Sequence, residues 1–379
     1  MLPRLPKEIM SLIALYSGDF TVGVTLGLGL KPSIYPEVTK LLMNIKHNSL
    51  VYGNVQSGKT KEIMQKIREE KLYKKVLVIQ SLATCLSQYI TRLCDEGVRF
   101  EVISRETRRL DPDMDVYLVM GNKYRYNYFT SAFEKNPFYY ALIVDEVDLV
   151  TRNCPLVKSQ YAVKQTHVTA TPYTLKPVYD VVSTLPVSSN YYGLNNNKLT
   201  VSYEDDINVS VDNFLKEPTG MLLINRLSNV QSMKDMSQKL SKLHPKVPVI
   251  LLSNDKKVYF DGYGFPVLSN NVSKIIDRFI NFSHIIFVAN RLASRTVSYV
   301  SSDFSRHLTA QITMIKSNIT NFMQGLRICG IYKDTPSLNI ILPHSQEGRL
   351  EKVCQKVGDF TPTSKILKNA DCLNFNDMY

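Results

Sequence analysis

The chain has 379 residues, of which 44% are hydrophobic and 21% charged, and a formal net charge of +12. That is length enough for two ordinary domains with separate cores, and the composition excludes low-complexity, collagen-like and disulfide-framework chains. An excess of base on this scale suits a polyanionic partner, nucleic acid before others, against the alternative of a basic surface with no specific partner.

Residues 1–45 carry short apolar and helical patterns broken by Gly23, Gly27 and Gly29, and no legible motif. We expect an N-terminal extension that caps the first domain. Met1-Leu2-Pro3-Arg4-Leu5-Pro6 lacks the make-up of a signal peptide, and no apolar run reaches the ~20 residues of a membrane span. Cys85, Cys94, Cys154, Cys329, Cys354 and Cys372 have neither metal-ligand nor disulfide-framework spacing. Reduced thiols in a soluble intracellular protein without a membrane anchor are the expectation.

From 46 to 185, apolar runs alternate with amphipathic stretches. The runs Ser49–Tyr52, Lys75–Gln80, Val116–Met120, Ala141–Asp145 and Thr166–Thr169 read as strands. Lys61–Leu72, Thr84–Cys94 and Tyr124–Phe133 read as helices. Such alternation predicts a parallel sheet covered on both faces. Residues 186–214 are rich in turn formers and read as a linker with one or two edge strands. From 215 to 345 the alternation resumes. Strands are predicted at Met221–Asn225, Val247–Leu252, Ile285–Ala289 and Leu338–Leu342. Helices are predicted at Val230–Leu243 (capped by Ser228), Val272–Phe282 and Thr320–Gly325. The tail, 346–379, is charged and shows no clear role. The fold class is therefore α/β, two units of similar size in tandem.

Three motifs in the first unit carry chemistry. Gly53-Asn54-Val55-Gln56-Ser57-Gly58-Lys59-Thr60 has the form Gly-x-x-x-x-Gly-Lys-Thr between an apolar strand and a helix. Glycines let backbone N–H groups wrap a phosphate chain, and the helix N-terminus adds positive charge. Lys59 would reach the terminal phosphates, and the Thr60 hydroxyl would ligate Mg²⁺. Ala141-Leu142-Ile143-Val144-Asp145-Glu146-Val147-Asp148 is a buried-type strand ending in acids, the position at which open α/β sheets bind ligands. Asp145 fits a Mg²⁺-holding role, and Glu146 would orient and deprotonate the attacking water. The alternative is a pair of acids capping the next helix. Thr166-His167-Val168-Thr169-Ala170-Thr171-Pro172-Tyr173 then ends a strand in hydroxyls able to bond the acidic motif.

In this order and spacing the three resemble motifs I, II and III of superfamily 2 helicases. Residues 53–60 and 169–173 are especially similar to the Z1-domain branch and related ATPases of phages and large DNA viruses. The resemblance covers about 49–345 and implies two tandem RecA-like P-loop domains that bind ATP and Mg²⁺ in the cleft between them. It also implies a second-domain motif VI. Met323-Gln324-Gly325-Leu326-Arg327-Ile328-Cys329-Gly330 resembles it, which would make Gln324 and Arg327 face the γ-phosphate, Arg327 as arginine finger. Asn290-Arg291-Leu292-Ala293-Ser294-Arg295-Thr296-Val297-Ser298 stands where motif V would, but has Arg295-Thr296 for the usual Arg-Gly pair and no acid two residues on. Ile331 follows Gly330, where many relatives have a second arginine. No adenine-reading glutamine motif precedes residue 53. By the same resemblance Asp148, Thr169, Thr171 and Arg295 would couple the nucleotide to the track.

Gln80-Ser81-Leu82 sits where motif Ia would touch nucleic acid, and Gly121-Asn122 near motif Ib or Ic. Lys123 and Arg125 follow as phosphate contacts. The interleaved Tyr124, Tyr126, Tyr128 and Phe129 are read first as packing residues, with base stacking as the alternative. His167 is expected to be structural. The leading function is an ATP-driven helicase or translocase, DNA favoured over RNA, that accepts an accessory protein of a replication or transcription complex. If viral, it would sit in host cytoplasm or virion. A packaging terminase would need a C-terminal acidic nuclease cluster that is lacking. A nucleoside kinase leaves Thr169-Ala170-Thr171-Pro172 unexplained. A non-catalytic, helicase-derived binding module stays open.

Overall fold

The computed structural model describes residues 47–53, 58–150, 154–172, 175, 179–185, 199–227, 229–253, 257–260, 265–266, 271–290, 297–315, 322–323, 325–326 and 335–358. The N-terminal extension, residues 186–198 of the expected linker and the end of the tail lie outside them.

The first unit runs β1 (His47–Tyr52), α1 (Lys59–Glu69), β2 (Lys74–Ile79), α2 (Ala83–Asp95), β3 (Phe100–Val102), β4 (Val116–Met120), α3 (Lys123–Phe133), β5 (Tyr140–Asp145), α4 (Val147–Val150), a 3-10 turn (Pro155–Lys158), β6 (Ala162–Thr169) and β7 (Val181–Thr184). Its seven strands lie in the order β3-β4-β2-β5-β6-β1-β7, and every pairing is parallel. All six residues of β5 are buried. A continuous apolar run is what a strand covered on both faces requires, and the alternation along the neighbours shows the two faces. Val76 and Val78 of β2 join one cluster with Leu142 and Val144, while Leu77 and Ile79 join another with Ile143. In α1, Ile63, Met64 and Ile67 face the sheet while Lys61, Gln65 and Arg68 are exposed.

The second unit runs β8 (Leu199–Tyr203), α5 (Ile207–Phe214), β9 (Gly220–Ile224), α6 (Val230–Leu243), β10 (Val249–Leu252), β11 (Lys257–Phe260), β12 (Phe265–Pro266), α7 (Val272–Arg278), β13 (His284–Ala289), β14 (Ala310–Ile312), β15 (Leu338–Leu342) and α8 (Arg349–Gly358). Its eight strands lie in the order β12-β11-β10-β13-β9-β14-β15-β8, parallel except for the β10-β11-β12 edge. Two mainly parallel, helix-covered sheets in tandem are the expected α/β class.

Details differ from the sequence reading. The cap of α6 is Asn229, whose side chain accepts from the Ser232 N–H at 2.7 Å; Ser228 lies outside the described residues. Helix α7 ends at Arg278 rather than Phe282, because the Phe279 N–H turns back to the Ile276 carbonyl. Residues 199–214, assigned to the linker, supply the edge strand β8 and the helix α5, and Val211 and Phe214 of α5 are core residues. The charged tail contains α8, whose Leu350 and Val353 are buried.

Candidate active site

Backbone pairing does most of the assembly. In β1 and β6, Tyr52 pairs with Thr169; in β5 and β6, Asp145 pairs with Val168. Since β5, β6 and β1 are neighbours and parallel, the segments following residues 52, 145 and 169 leave the sheet side by side at its carboxyl edge. The three motifs, far apart in sequence, thus emerge on one rung, where open α/β sheets bind ligands.

The Gly53 N–H donates to the Thr169 carbonyl at 3.3 Å, closing β1 onto β6. Gly58 then begins α1 at φ 96°, a left-handed conformation that a side chain would strain. No side chain caps this helix, and its first turn opens with Lys59 and Thr60. Uncapped first-turn N–H groups with the helix dipole behind them favour an anion. Lys59 is buried, with Nζ donating to the Gly53 carbonyl at 3.3 Å, so the ammonium is drawn back to the end of β1. Asn54, Val55, Gln56 and Ser57 lie outside the described residues.

Asp145 and Glu146 are both buried. Burial raises the Asp145 carboxyl above its ordinary range, opposed by a hydrogen bond from Tyr89, the charge of Lys59 and the Glu146 N–H. The Tyr89 hydroxyl donates to Asp145 Oδ2 at 2.8 Å, and burial plus the Asp145 charge hold that phenol far above its usual range, fully protonated. Glu146 takes φ 52°, left-handed for a non-glycine residue, so the chain turns sharply between strand and α4. Backbone outliers of this kind gather at functional sites, where surrounding structure enforces them. Both oxygens of Asp148 are taken: Thr169 Oγ1 donates to Oδ1 at 2.8 Å and Thr171 Oγ1 to Oδ2 at 3.1 Å. The third motif is thereby tied to the second, as its hydroxyls predict.

Magnesium takes hard oxygen ligands, one or two carboxylates completed by phosphates and water. The Thr60 hydroxyl and the Asp145 carboxylate fit that donor set. Among the described residues no cluster of three or more His, Cys, Asp or Glu side chains forms an all-protein cage.

The other half of the same sheet edge carries the residues expected to meet nucleic acid. Gln80 and Ser81 follow β2, and Gly121 and Asn122 follow β4. Asn122 caps α3, its side chain accepting from the Arg125 N–H at 3.0 Å, while its Nδ2 donates to Ser81 Oγ at 2.6 Å and ties the two loops together. Gly121 is obligatory by packing: a Cβ there would meet Val150 Cγ1 at 2.9 Å and the Ile79 carbonyl at 3.1 Å. Lys123 is exposed; Arg125 Nη1 donates to the Ile103 carbonyl at 2.9 Å. Of the aromatics on α3, Phe129 is buried and Tyr126 and Tyr128 pack against the core, but Tyr124 is 75% exposed. The loop after β3 carries three exposed arginines that sequence reading passed over: Arg105 just past the strand end, and Arg108 and Arg109 farther along, where the Arg108 carbonyl accepts from Lys135 Nζ at 2.7 Å beyond the far end of α3. Tyr89 was passed over as well, since nothing local to it announces an acid in another element. Arg295, Gln324 and Arg327 lie outside the described residues. Of the motif VI segment, Met323 and Leu326 are described and buried.

His167 is buried, Nδ1 3.0 Å from the Tyr179 hydroxyl. Cys85, Cys94, Cys154 and Cys354 take part in no disulfide. Among the described residues no helix is long and apolar enough to cross a membrane.

No protein-family model matches the chain, and no curated protein matches it in sequence. Solved structures do. Dbp5 of S. cerevisiae bound to RNA and ADP BeF3 superposes with a TM-score of 0.56 at 11% identity, covering 94% of this chain and 92% of that one. The DUF1998 helicase MrfA bound to DNA gives a TM-score of 0.51 at 12% identity, covering 87% of this chain and 49% of that one, so the chain spans about half of MrfA. The chain shares the fold of these structures, two RecA-like α/β units in tandem.

Proposed function

We propose that this protein is an ATP-dependent helicase or translocase that couples hydrolysis in the cleft between its two units to movement on nucleic acid. The observation that carries the reading is the shared rung: Gly53, Asp145 and Thr169 leave adjacent parallel strands together, with Lys59 donating to the first and Asp148 binding the third. A single motif arises easily by composition; three converging on one sheet edge in helicase order do not.

In this reading the ammonium of Lys59 and the N–H groups at the start of α1 neutralise the phosphates. Thr60 and Asp145 would hold Mg²⁺, which when bound would supply charge neutralisation at the phosphates. Glu146 orients water and takes its proton. Gln324 and Arg327 close on the γ-phosphate from the second unit, so the arginine completes the site only when the cleft shuts. Asp148, Thr169, Thr171 and Arg295 carry the closure to the track, formed by Gln80, Ser81, Asn122, Lys123 and Arg125 with Arg105 after β3. Similarity of 53–60 and 169–173 to the phage and large-DNA-virus branch favours DNA as track and a viral setting, with an accessory protein for targeting. Dbp5 with RNA and ADP BeF3 and MrfA with DNA support nucleotide and nucleic acid as the ligand classes.

The test is ATP hydrolysis by the purified chain with and without single-stranded DNA or RNA, beside Lys59→Ala and Arg327→Ala. Stimulation by one polymer and its loss in both variants is expected. Hydrolysis surviving Arg327→Ala would remove the arginine-finger assignment. No hydrolysis with either polymer would leave a nucleic-acid-binding module.

A further inference from the structure

Tyr89 stands in the middle of α2 with its side chain 3% exposed and its ring in the apolar cluster shared with Leu77, Ile79, Cys85 and Leu93. A buried phenol must find an acceptor, and a serine, an amide or a backbone carbonyl would serve that need. Its partner instead is the acid proposed to hold the metal, 56 positions away, at 2.8 Å. A carboxylate with one oxygen fixed by a neutral donor cannot rotate freely, and its other oxygen is presented in one orientation.

We propose that Tyr89 is a positioning residue for the metal at the nucleotide site, holding Asp145 through Oδ2 so that the carboxylate meets Mg²⁺ preorganised. The inference rests on the proposed ATP–Mg²⁺ reading of the site. The hydroxyl adds no charge, and its removal takes from the buried acid the hydrogen bond that holds Oδ2. Partners of this kind behind a metal ligand commonly contribute a factor of about 10–100 in metal affinity.

Tyr89→Phe deletes only the hydroxyl. Mn²⁺ affinity of the ADP-bound protein, read by electron paramagnetic resonance, should fall about tenfold or more in the variant. ADP binding in EDTA should stay as in wild type, and Asp145→Asn should weaken Mn²⁺ binding with or without the tyrosine hydroxyl. A purely structural role would lower the unfolding midpoint and leave the Mn²⁺ affinity unmoved; that result overturns the proposal. If wild type and Lys59→Ala alike bind no ADP, the nucleotide reading itself falls and the proposal with it. If Tyr89→Phe does not fold, 3-fluorotyrosine placed at position 89 alone should shift its fluorine resonance when Mg²⁺ is added to the ADP-bound protein. An unmoved resonance counts against the proposal.

Discussion

Glu146 holds a left-handed backbone at φ 52° in a buried position. Such a conformation costs a non-glycine residue about 1–3 kcal/mol, and the cost is tolerated where it aims a side chain. Glu146→Gly should therefore raise the stability to urea by about 1 kcal/mol while abolishing hydrolysis, a trade of stability for function. Asp148 is the reverse case, since both of its oxygens accept threonine hydroxyls. Asp148→Ala orphans two donors and should cost about 2 kcal/mol in the same assay, much of it recovered when Thr169→Val and Thr171→Val are added. His167 makes stability depend on pH. Burial depresses its pKa to about 4 from an ordinary 6.5, and its Nε2 has no partner. The unfolded chain thus binds more protons than the folded one between these values. The contribution of His167 is fully present above pH 6.5 and is lost as pH falls towards 4. At full extent it is worth about 3 kcal/mol. Urea midpoints measured from pH 7 to pH 4.5 should fall more steeply for wild type than for His167→Gln.

At the scale of elements, strands and helices were legible wherever one rule governed a whole segment. Val116–Met120, Val230–Leu243 and Leu338–Leu342 begin and end where hydrophobic period alone puts them. Short elements with mixed roles were not. β14 has Gln311 at its centre, wholly buried, because Nε2 donates to Asn225 Oδ1 and the Gly325 carbonyl; a buried amide interrupts the apolar run that would announce a strand. β3 is three half-buried residues at an edge, too short for a period to show. In the site, Gly58-Lys59-Thr60 was legible because its chemistry is contiguous, while the Tyr89–Asp145 bond joins two elements and leaves no trace in either. Gly121 belongs to this scale too, since it decides how closely α4 approaches the ends of β2 and β4. Gly121→Ala drives a methyl group into Val150 and the Ile79 carbonyl and should cost about 1–3 kcal/mol. Adding Val150→Ala opens part of that space. The double variant should be more stable than the sum of the two single losses predicts, as read from a urea-unfolding cycle.

At the scale of the whole molecule, the carboxyl edge of the first sheet divides into two halves. The strand order β3-β4-β2-β5-β6-β1-β7 sets the nucleotide motifs after β5, β6 and β1, and the loops proposed to meet the track after β3, β4 and β2. Asp145, at the end of the strand beside β2, lies at the border, so the two halves share a wall. Part of the surplus charge of +12 has a place in this arrangement, because Lys123 and Arg105, just past the end of β3, are exposed on the track half. Contacts to single-strand phosphates release counterions, and each contributes about 0.7 to the slope of log affinity against log salt. Replacing Arg105 and Lys123 together by glutamine should therefore lower that slope by about 1.4 if both touch phosphate. It should also weaken binding most at 50 mM salt and least at 200 mM. Fluorescence anisotropy of a labelled single strand across that range measures both. Tyr124→Ala, by contrast, removes a stacking surface without a charge and should weaken binding equally at every salt concentration, by about 1–3 kcal/mol if a base lies on the ring. A slope unchanged by the double substitution would take Arg105 and Lys123 off the track and assign them to solvent.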